Sequence, residues 1–185
     1  MERRYDRTVT TTLVLSVIGD DRAGLVKALA DVIEQGGGNW ERSHLSELAG
    51  KFAGIVVVTV PTDRADDLRS SLEPLQGLLD VAVHDGAVVE AAEGVQEVRV
   101  ELLGNDQPGI VGRVSGVLAQ HGLSVAELVS TTRDAPMAGG RLFEAIAVAT
   151  VPADADLDAL QADLEQLATE MMVDLTLSPH DDDAD

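Results

Sequence analysis

The sequence predicts an α+β chain of two tandem ferredoxin-like modules, each ordered β-α-β-β-α-β, with a four-stranded antiparallel sheet carrying both helices on one face. Three observations lead there. The 185 residues suit two small domains. The chain repeats internally. In each copy the hydrophobic period alternates between that of a strand and that of a helix in the same order.

The repeat is found by offset. Gly19, Asp21, Gly24, Val26, Gln35 and Gly37 recur 85 residues on as Gly104, Asp106, Gly109, Val111, Gln120 and Gly122. Phe52, Pro61 and Asp63 recur 91 residues on as Phe143, Pro152 and Asp154. The second copy therefore holds six extra residues between the two blocks, and DAPMAGG at 134–140 has the composition of the loop that would hold them.

In the first copy TTLVLSVIG (11–19) is a β-branched strand. Leu25, Leu29, Val32 and Ile33 then recur at helical spacing until Gly36-Gly37-Gly38. NWERSHLSEL and FAGIVVVTVP flank Ala49-Gly50-Lys51 as a hairpin. Asp63 is placed to cap a helix with Ala65, Leu68, Leu72 and Leu75 on one face, and LLDVAVH (78–84) closes the copy. The second copy runs VRVELLG, a helix from about Gly109 to His121, LSVAELVSTT, RLFEAIAVATV, a helix carrying Leu157, Leu160, Leu164, Leu167 and Met171, and MVDLTLS. The expected modules span 10–88 and 95–179, joined by a linker at DGAVVEAAEGVQE, with 180–185 an acidic, disordered tail.

In VRVELLG, Arg99 and Glu101 alternate with Val98, Val100 and Leu102, as on a sheet wetted on one side. TLVLSVIG and IVVVTV are apolar on both faces. Part of the first sheet is therefore expected to be covered, by the second copy or by another subunit.

GDDRAG and GNDQPG each stand between a strand and a helix. Glycine there permits a tight turn and close approach of a ligand, while the first helical N–H groups attract a carboxylate. Beside them, Asp20 and Asp21, or Asn105 and Asp106, can accept hydrogen bonds from an ammonium. Together these groups match a zwitterion, an α-amino acid. A plainer alternative stands beside this one: Asp and Asn before a helix serve as N-caps, and the glycines merely relieve the turn.

GDDRAGLV and GNDQPGIV, each opening a helix that ends in Gly37-Gly38-Asn39 or Gly122-Leu123-Ser124, resemble ACT domains, small βαββαβ modules that bind amino acids and regulate metabolism. The resemblance covers about residues 10–178, and two tandem copies resemble the glycine cleavage system transcriptional repressor family. It implies a ligand held at an interface between two modules by the turn before the first helix and by the residue opening the second strand. Those positions are Asp20, Asp21, Gly24, Leu25 and Asn39 in the first copy, and Asn105, Asp106, Gly109, Ile110 and Ser124 in the second. Ala23 stands where the family pattern has Pro, which Pro108 keeps, and Ser124 is shorter than the usual Asn. The two sites are therefore expected to be unequal. The resemblance also implies a homodimer and an effect on transcription exerted through a partner regulator. The alternative function is an adaptor or regulatory subunit of a separate metabolic enzyme, as in the small subunits of acetolactate synthase, with no ligand of its own.

The composition agrees with a protein partner. Residues 1–93 hold 9 basic and 16 acidic side chains and residues 94–185 hold 4 and 17, for a net charge of −20. Such a surface repels phosphate backbones and anionic lipid, so direct nucleic-acid or membrane binding is not expected. There is no cysteine, which excludes disulfides and thiolate chemistry. MERRYDRTVTT lacks a signal-peptide core and IVVVTV is too short to span a bilayer, so a cytoplasmic location is expected.

No catalytic residue, metal site or cofactor is expected, and the chain is read as not an enzyme. His44, His84, His121 and His180 lack metal-ligand spacing, and His121 sits where a helix end favours positive charge. Gly112-Arg-Val-Ser-Gly116 has a serine inside a helix, unlike a nucleophile elbow, and no phosphate-loop pattern occurs. GDDRAGLV also resembles the N-terminal module of formyltetrahydrofolate deformylases, but the second repeat occupies the place of a catalytic domain. Trp40, following Asn39, is expected in core or interface packing.

Overall fold

The computed structural model describes residues 9–75, 77–87, 96–135 and 139–180. The chain divides into two compact units, residues 1–90 and 91–185. In the first, strands β1 (Thr10–Asp20), β2 (Asn39–Leu48), β3 (Lys51–Pro61) and β4 (Asp80–Asp85) alternate with helices α1 (Leu25–Gln35) and α2 (Ala65–Leu72). In the second, β5 (Gln96–Asn105), β6 (Ser124–Asp134), β7 (Arg141–Val151) and β8 (Val173–Pro179) alternate with α3 (Ile110–Gln120) and α4 (Leu157–Met171).

The sheets are ordered β2-β3-β1-β4 and β6-β7-β5-β8, with every pairing antiparallel. Because β1 and β2 both run opposite to β3, they are parallel to each other. Helix α1 is the crossover that carries the chain back. Each β2-type strand contains a bulge at the same aligned place, between Trp40 and Arg42 and between Val125 and Glu127.

Strand period and helix period meet in one core per module. Leu13, Leu15, Val17, Val56, Val58 and Val60 point from the first sheet onto Leu25, Leu29 and Ile33 of α1 and Leu68 and Leu72 of α2, all buried. In the second, Val98, Val100, Leu102, Ala147 and Ala149 meet Ile110, Val114 and Leu118 of α3 and Leu160, Leu164, Leu167 and Met171 of α4. Truncating one of the fully buried leucines to alanine costs about 2–5 kcal/mol. Trp40 is partly buried and packs on the first core, in line with its expected packing role.

The hairpins differ as the offsets require. Leu48 pairs with Lys51 around Ala49-Gly50, whose φ angles of 52° and 77° are both positive, as in a two-residue type I′ turn. In the second module Asp134 pairs with Arg141, so the extra length lies at 135–140. The linker and tail expectations fall largely on 88–95 and 181–185, outside the described residues, although His180 N–H donates to the Glu97 carbonyl at 2.9 Å.

The cap assigned to Asp63 is not found. Thr62–Arg64 form a single 3-10 turn, Arg64 holds the N-cap position of α2, and no side chain caps that helix. Asp63 is drawn into the preceding turn, one step too early to reach the α2 amides. The effective cap is in the other module, where Asp156 accepts from the Ala159 N–H at 3.0 Å.

Candidate functional site

Each turn is centred on a left-handed glycine. Gly24 (φ 95°) and Gly109 (φ 88°) occupy the N-cap positions of α1 and α3, with no side-chain cap. A Cβ on either would meet nothing within 4 Å, so glycine is required by conformation and not by crowding. The first helical bonds are Ala28 N–H to Gly24 O (2.9 Å) and Arg113 N–H to Gly109 O (3.0 Å). The amides of Leu25, Val26 and Lys27, and of Ile110, Val111 and Gly112, precede the first helical bond and point out of the helix end.

Two hydrogen bonds fix the turn, and both are repeated. Asp21 N–H donates to Gly50 O at 2.9 Å and Asp106 N–H to Arg141 O at 2.8 Å, tying the turn to the hairpin. Arg22 Nη2 donates to Gly77 O at 3.2 Å and Gln107 Nε2 to Met171 O at 3.0 Å, tying it to the chain entering the last strand. Arg22 and Gln107 differ in charge yet hold aligned positions and make the same contact. Each turn is thus held in shape before any ligand arrives.

The aspartates are not the caps of these helices, as the plainer alternative would have them. Asp20 is ion-paired with Lys51, whose hydrogen bond and positive charge hold its carboxyl below the ordinary value. The Asp21 carboxylate is exposed and has no polar partner among the described residues, so it is available to an ammonium. In the second turn Asn105 is likewise exposed, while Asp106 Oδ2 lies 4.0 Å from Arg141 Nε. Leu25 and Ile110 are each 3% exposed and belong to the cores. Of these two residues, the backbone N–H is what the turn can offer.

Asn39 and Ser124 are not brought to their own turns. Asn39 pairs with Thr59, which pairs with Thr12, whereas Asp20 pairs with Lys51. Eight residues of β1 separate the two places, about 27 Å along an extended strand. Ser124 stands the same way, opposite Thr150 and Glu97, with Asn105 eight residues along β5. The parallel crossover dictates this: a strand following α1 starts at the end where β1 starts.

At that far end the first module has a network absent from the second. Asn39 Nδ2 and Thr59 Oγ1 donate to Glu41 Oε1 at 2.8 and 2.6 Å. The Thr59 bond, then the Asn39 bond, hold the Glu41 carboxyl below its ordinary value. Glu41 sits in the β2 bulge, and the aligned position of β6 is Ala126. Lys51, Arg141 and Glu41 are the site residues that sequence reasoning passed over. Lys51 and Arg141 are one place out of register in the repeat, so alignment of the copies does not pair them. The signal available was a cation entering each hairpin's second strand.

Two family models describing the ACT domain match residues 11–84 and 98–168. The chain belongs to the ACT-domain family. Among curated relatives, the glycine cleavage system transcriptional repressors of Escherichia coli (strain K12) and Shigella flexneri are each 26% identical over 162 residues, 86% of this chain and 85% of theirs. Among solved structures, a protein of unknown function from Galdieria sulphuraria superposes with a TM-score of 0.83 at 28% identity, over 94% of this chain and 100% of that one. A structure provisionally described as a glycine cleavage system transcriptional repressor superposes at 0.68 and 20% identity, over 94% and 99%, a likeness of fold. These likenesses run across nearly the whole chain and so take in both ACT modules.

Among the described residues no group of His, Asp and Glu could hold a metal ion, and no helix is long and apolar enough to cross a membrane. His121 holds the C-cap position of α3, and its Nε2 lies 2.8 Å from Asp163 Oδ2, a hydrogen-bonding contact that ties the end of α3 to α4.

Proposed function

We propose that this tandem ACT protein is a cytoplasmic, non-enzymatic sensor of a small, glycine-like amino acid that acts on a transcriptional regulator through protein contacts. The observation that carries the reading is the turn built twice: left-handed glycine, three outward amides, two repeated latches, and a carboxylate or amide beside them. A carboxylate suits the amides and an ammonium suits Asp21 or Asp106. Likeness to repressors of the glycine cleavage system supports the regulatory role and the preference for a small amino acid. The net charge of −20 supports action on a protein and not on DNA.

The 27 Å between each turn and its own strand-opening residue means that a single module binds through its turn alone. Any share of Asn39 or Ser124 in a ligand site requires association with a further module, as in a homodimer. Ile18 and Ile55, 49% and 51% exposed on the face of the first sheet away from its helices, support such association.

Calorimetric titration with the twenty amino acids tests the reading. Binding that is weakened by Asp21→Ala or Asp106→Ala, with folding intact, supports it. Absence of binding by a folded protein, with either substitution altering stability alone, defeats it in favour of an adaptor without a ligand.

A further inference from the structure

The two sheets share a backbone plan but not the character of their outer faces, those turned away from the helices. In the first, the core side of β1 and β3 is Leu13, Leu15, Val17, Val56, Val58 and Val60. The alternate positions Val14, Ser16, Ile18, Ala53, Ile55 and Val57 therefore share the outer face, and none of them carries a charge. The aligned positions of β5 and β7 are Arg99, Glu101, Leu103, Glu144, Ile146 and Val148, and there Arg99 Nε donates to Glu101 Oε1 at 2.7 Å. The second face is made for water. The first is a continuous apolar strip, with Ile18 and Ile55 49% and 51% exposed, of the kind that marks a protein contact.

Cross-strand register fixes where the polar groups around this strip stand. Toward one end Val57 pairs with Arg42 and Val14 with His84, while toward the other Ile18 pairs with Asp80. The side chains of Arg42, Asp80 and His84 have no polar partner among the described residues. Beyond them, Glu41 accepts from Thr59 at the first end and Lys51 stands beside Asp20 at the second. On β4 a donor, His84, and an acceptor, Asp80, thus occupy opposite ends. Across β2 and β3 the order is reversed, with the acceptor Glu41 first and the donor Lys51 last.

We propose that two copies of this chain associate through this face, sheet on sheet and antiparallel, about a two-fold axis that crosses the strands near Ser16 and Ile55. Such an axis turns the face end for end and keeps each strand over its counterpart. Ile55 meets the partner's Ile55, Val14 meets the partner's Ile18, and Val57 meets the partner's Ala53, a larger side chain on a smaller one. His84 comes over the partner's Asp80 and Glu41 over the partner's Lys51, so donors and acceptors are matched at both ends. An axis along the strands would set Arg42 over the partner's His84 and Asp80 over the partner's Ser46, leaving the carboxylate without a cation. Four strands about 4.8 Å apart and about eight residues long cover roughly 19 Å by 27 Å, about 500 Å² per copy and about 1,000 Å² in all, which is what a specific interface needs. The second module's outer face is the poorer partner, because Arg99, Glu101 and Glu144 would have to leave water. The interface lies opposite α1 and α2, so the amides that open α1 stay accessible, and the inference does not rest on the amino-acid-sensing reading.

Sedimentation velocity of the full chain over a wide range of concentration, without added amino acid, tests the inference. The natural chain should run as a dimer that dissociates on dilution. Ile55→Asp should raise the dissociation constant about a hundredfold or more, because symmetry places the change twice at the centre of the interface. Ile18→Asp should act in the same direction, with circular dichroism showing both variants folded. Ile146→Asp, the aligned change on the second sheet, should leave the dimer as it is. Asp80→Arg should weaken association about tenfold, and combining it with His84→Asp should restore it, since opposite charges then face each other again across the axis. A monomer at every concentration, a dimer that tolerates both Ile55→Asp and Ile18→Asp, or one lost equally to Ile146→Asp overturns the inference. Weakening by Asp80→Arg that His84→Asp does not reverse overturns the antiparallel arrangement. No ligand enters these measurements, so either failure leaves the sensor reading standing.

Discussion

Gly24 and Gly109 are informative because their surroundings are empty. A methyl group would touch nothing, so the cost of Gly109→Ala is purely that of a left-handed backbone, about 1–2 kcal/mol. Urea unfolding followed by circular dichroism should show that loss without a change in the denaturant slope. At the neighbouring ion pair, Lys51 lowers the carboxyl of Asp20 in the folded state. The stabilisation is therefore complete above the unfolded carboxyl value, near 4, and is lost as pH falls through the lowered folded value. Natural protein and Lys51→Met should differ slightly in stability at pH 7 and converge in acid, the gap being small because the pair is exposed. At this scale the sequence pointed to the right turn but not to its inner partners. Asp20 and Asp21 read alike, yet one is engaged by Lys51 and the other is free, a distinction set by the β1–β3 register and not by local sequence.

Among the elements, helices and strands were legible because their apolar periods are clean. The strand NWERSHLSEL and the strand RLFEAIAVATV appear with the limits expected, and the extra residues of the second hairpin fall where the offsets placed them. Caps were less legible, since Asp63 and Asp156 both precede an apolar helical stripe and differ in whether an intervening 3-10 turn shifts the frame. Asp156→Ala should cost about 1 kcal/mol through loss of its bond to the Ala159 N–H, whereas Asp63→Ala should change stability by less than about 0.5 kcal/mol. Thermal unfolding of the two variants checks the contrast. The separation of Asn39 and Ser124 from their turns is also an element-scale fact. It follows from the parallel crossover, so the predicted order of elements already contained it, and the spacing of motifs along the chain concealed it.

For the whole molecule, duplication lets each module serve as a control for the other. Bonds that recur despite changed residues, such as those of Arg22 and Gln107 to the carbonyls of Gly77 and Met171, mark what the turn requires. Features that differ, such as Trp40 against Val125 and Glu41 against Ala126, mark where the two modules have diverged. The balance of charge acts on both alike: a net charge of −20 repels itself, and added salt screens that repulsion. The melting temperature should therefore rise between about 10 mM and 150 mM salt, as read by scanning calorimetry.

The central claim is that the two turns, and not another surface, receive an amino acid. Amide chemical-shift mapping by nitrogen–proton correlation NMR tests it most directly. On addition of small amino acids, one ligand should shift the amides of Asp21 to Lys27, of Asp106 to Gly112, or both, with Gly50 and Arg141 following through the latching bonds. Saturable shifts confined to other parts of the chain, or none with any amino acid, would contradict the account.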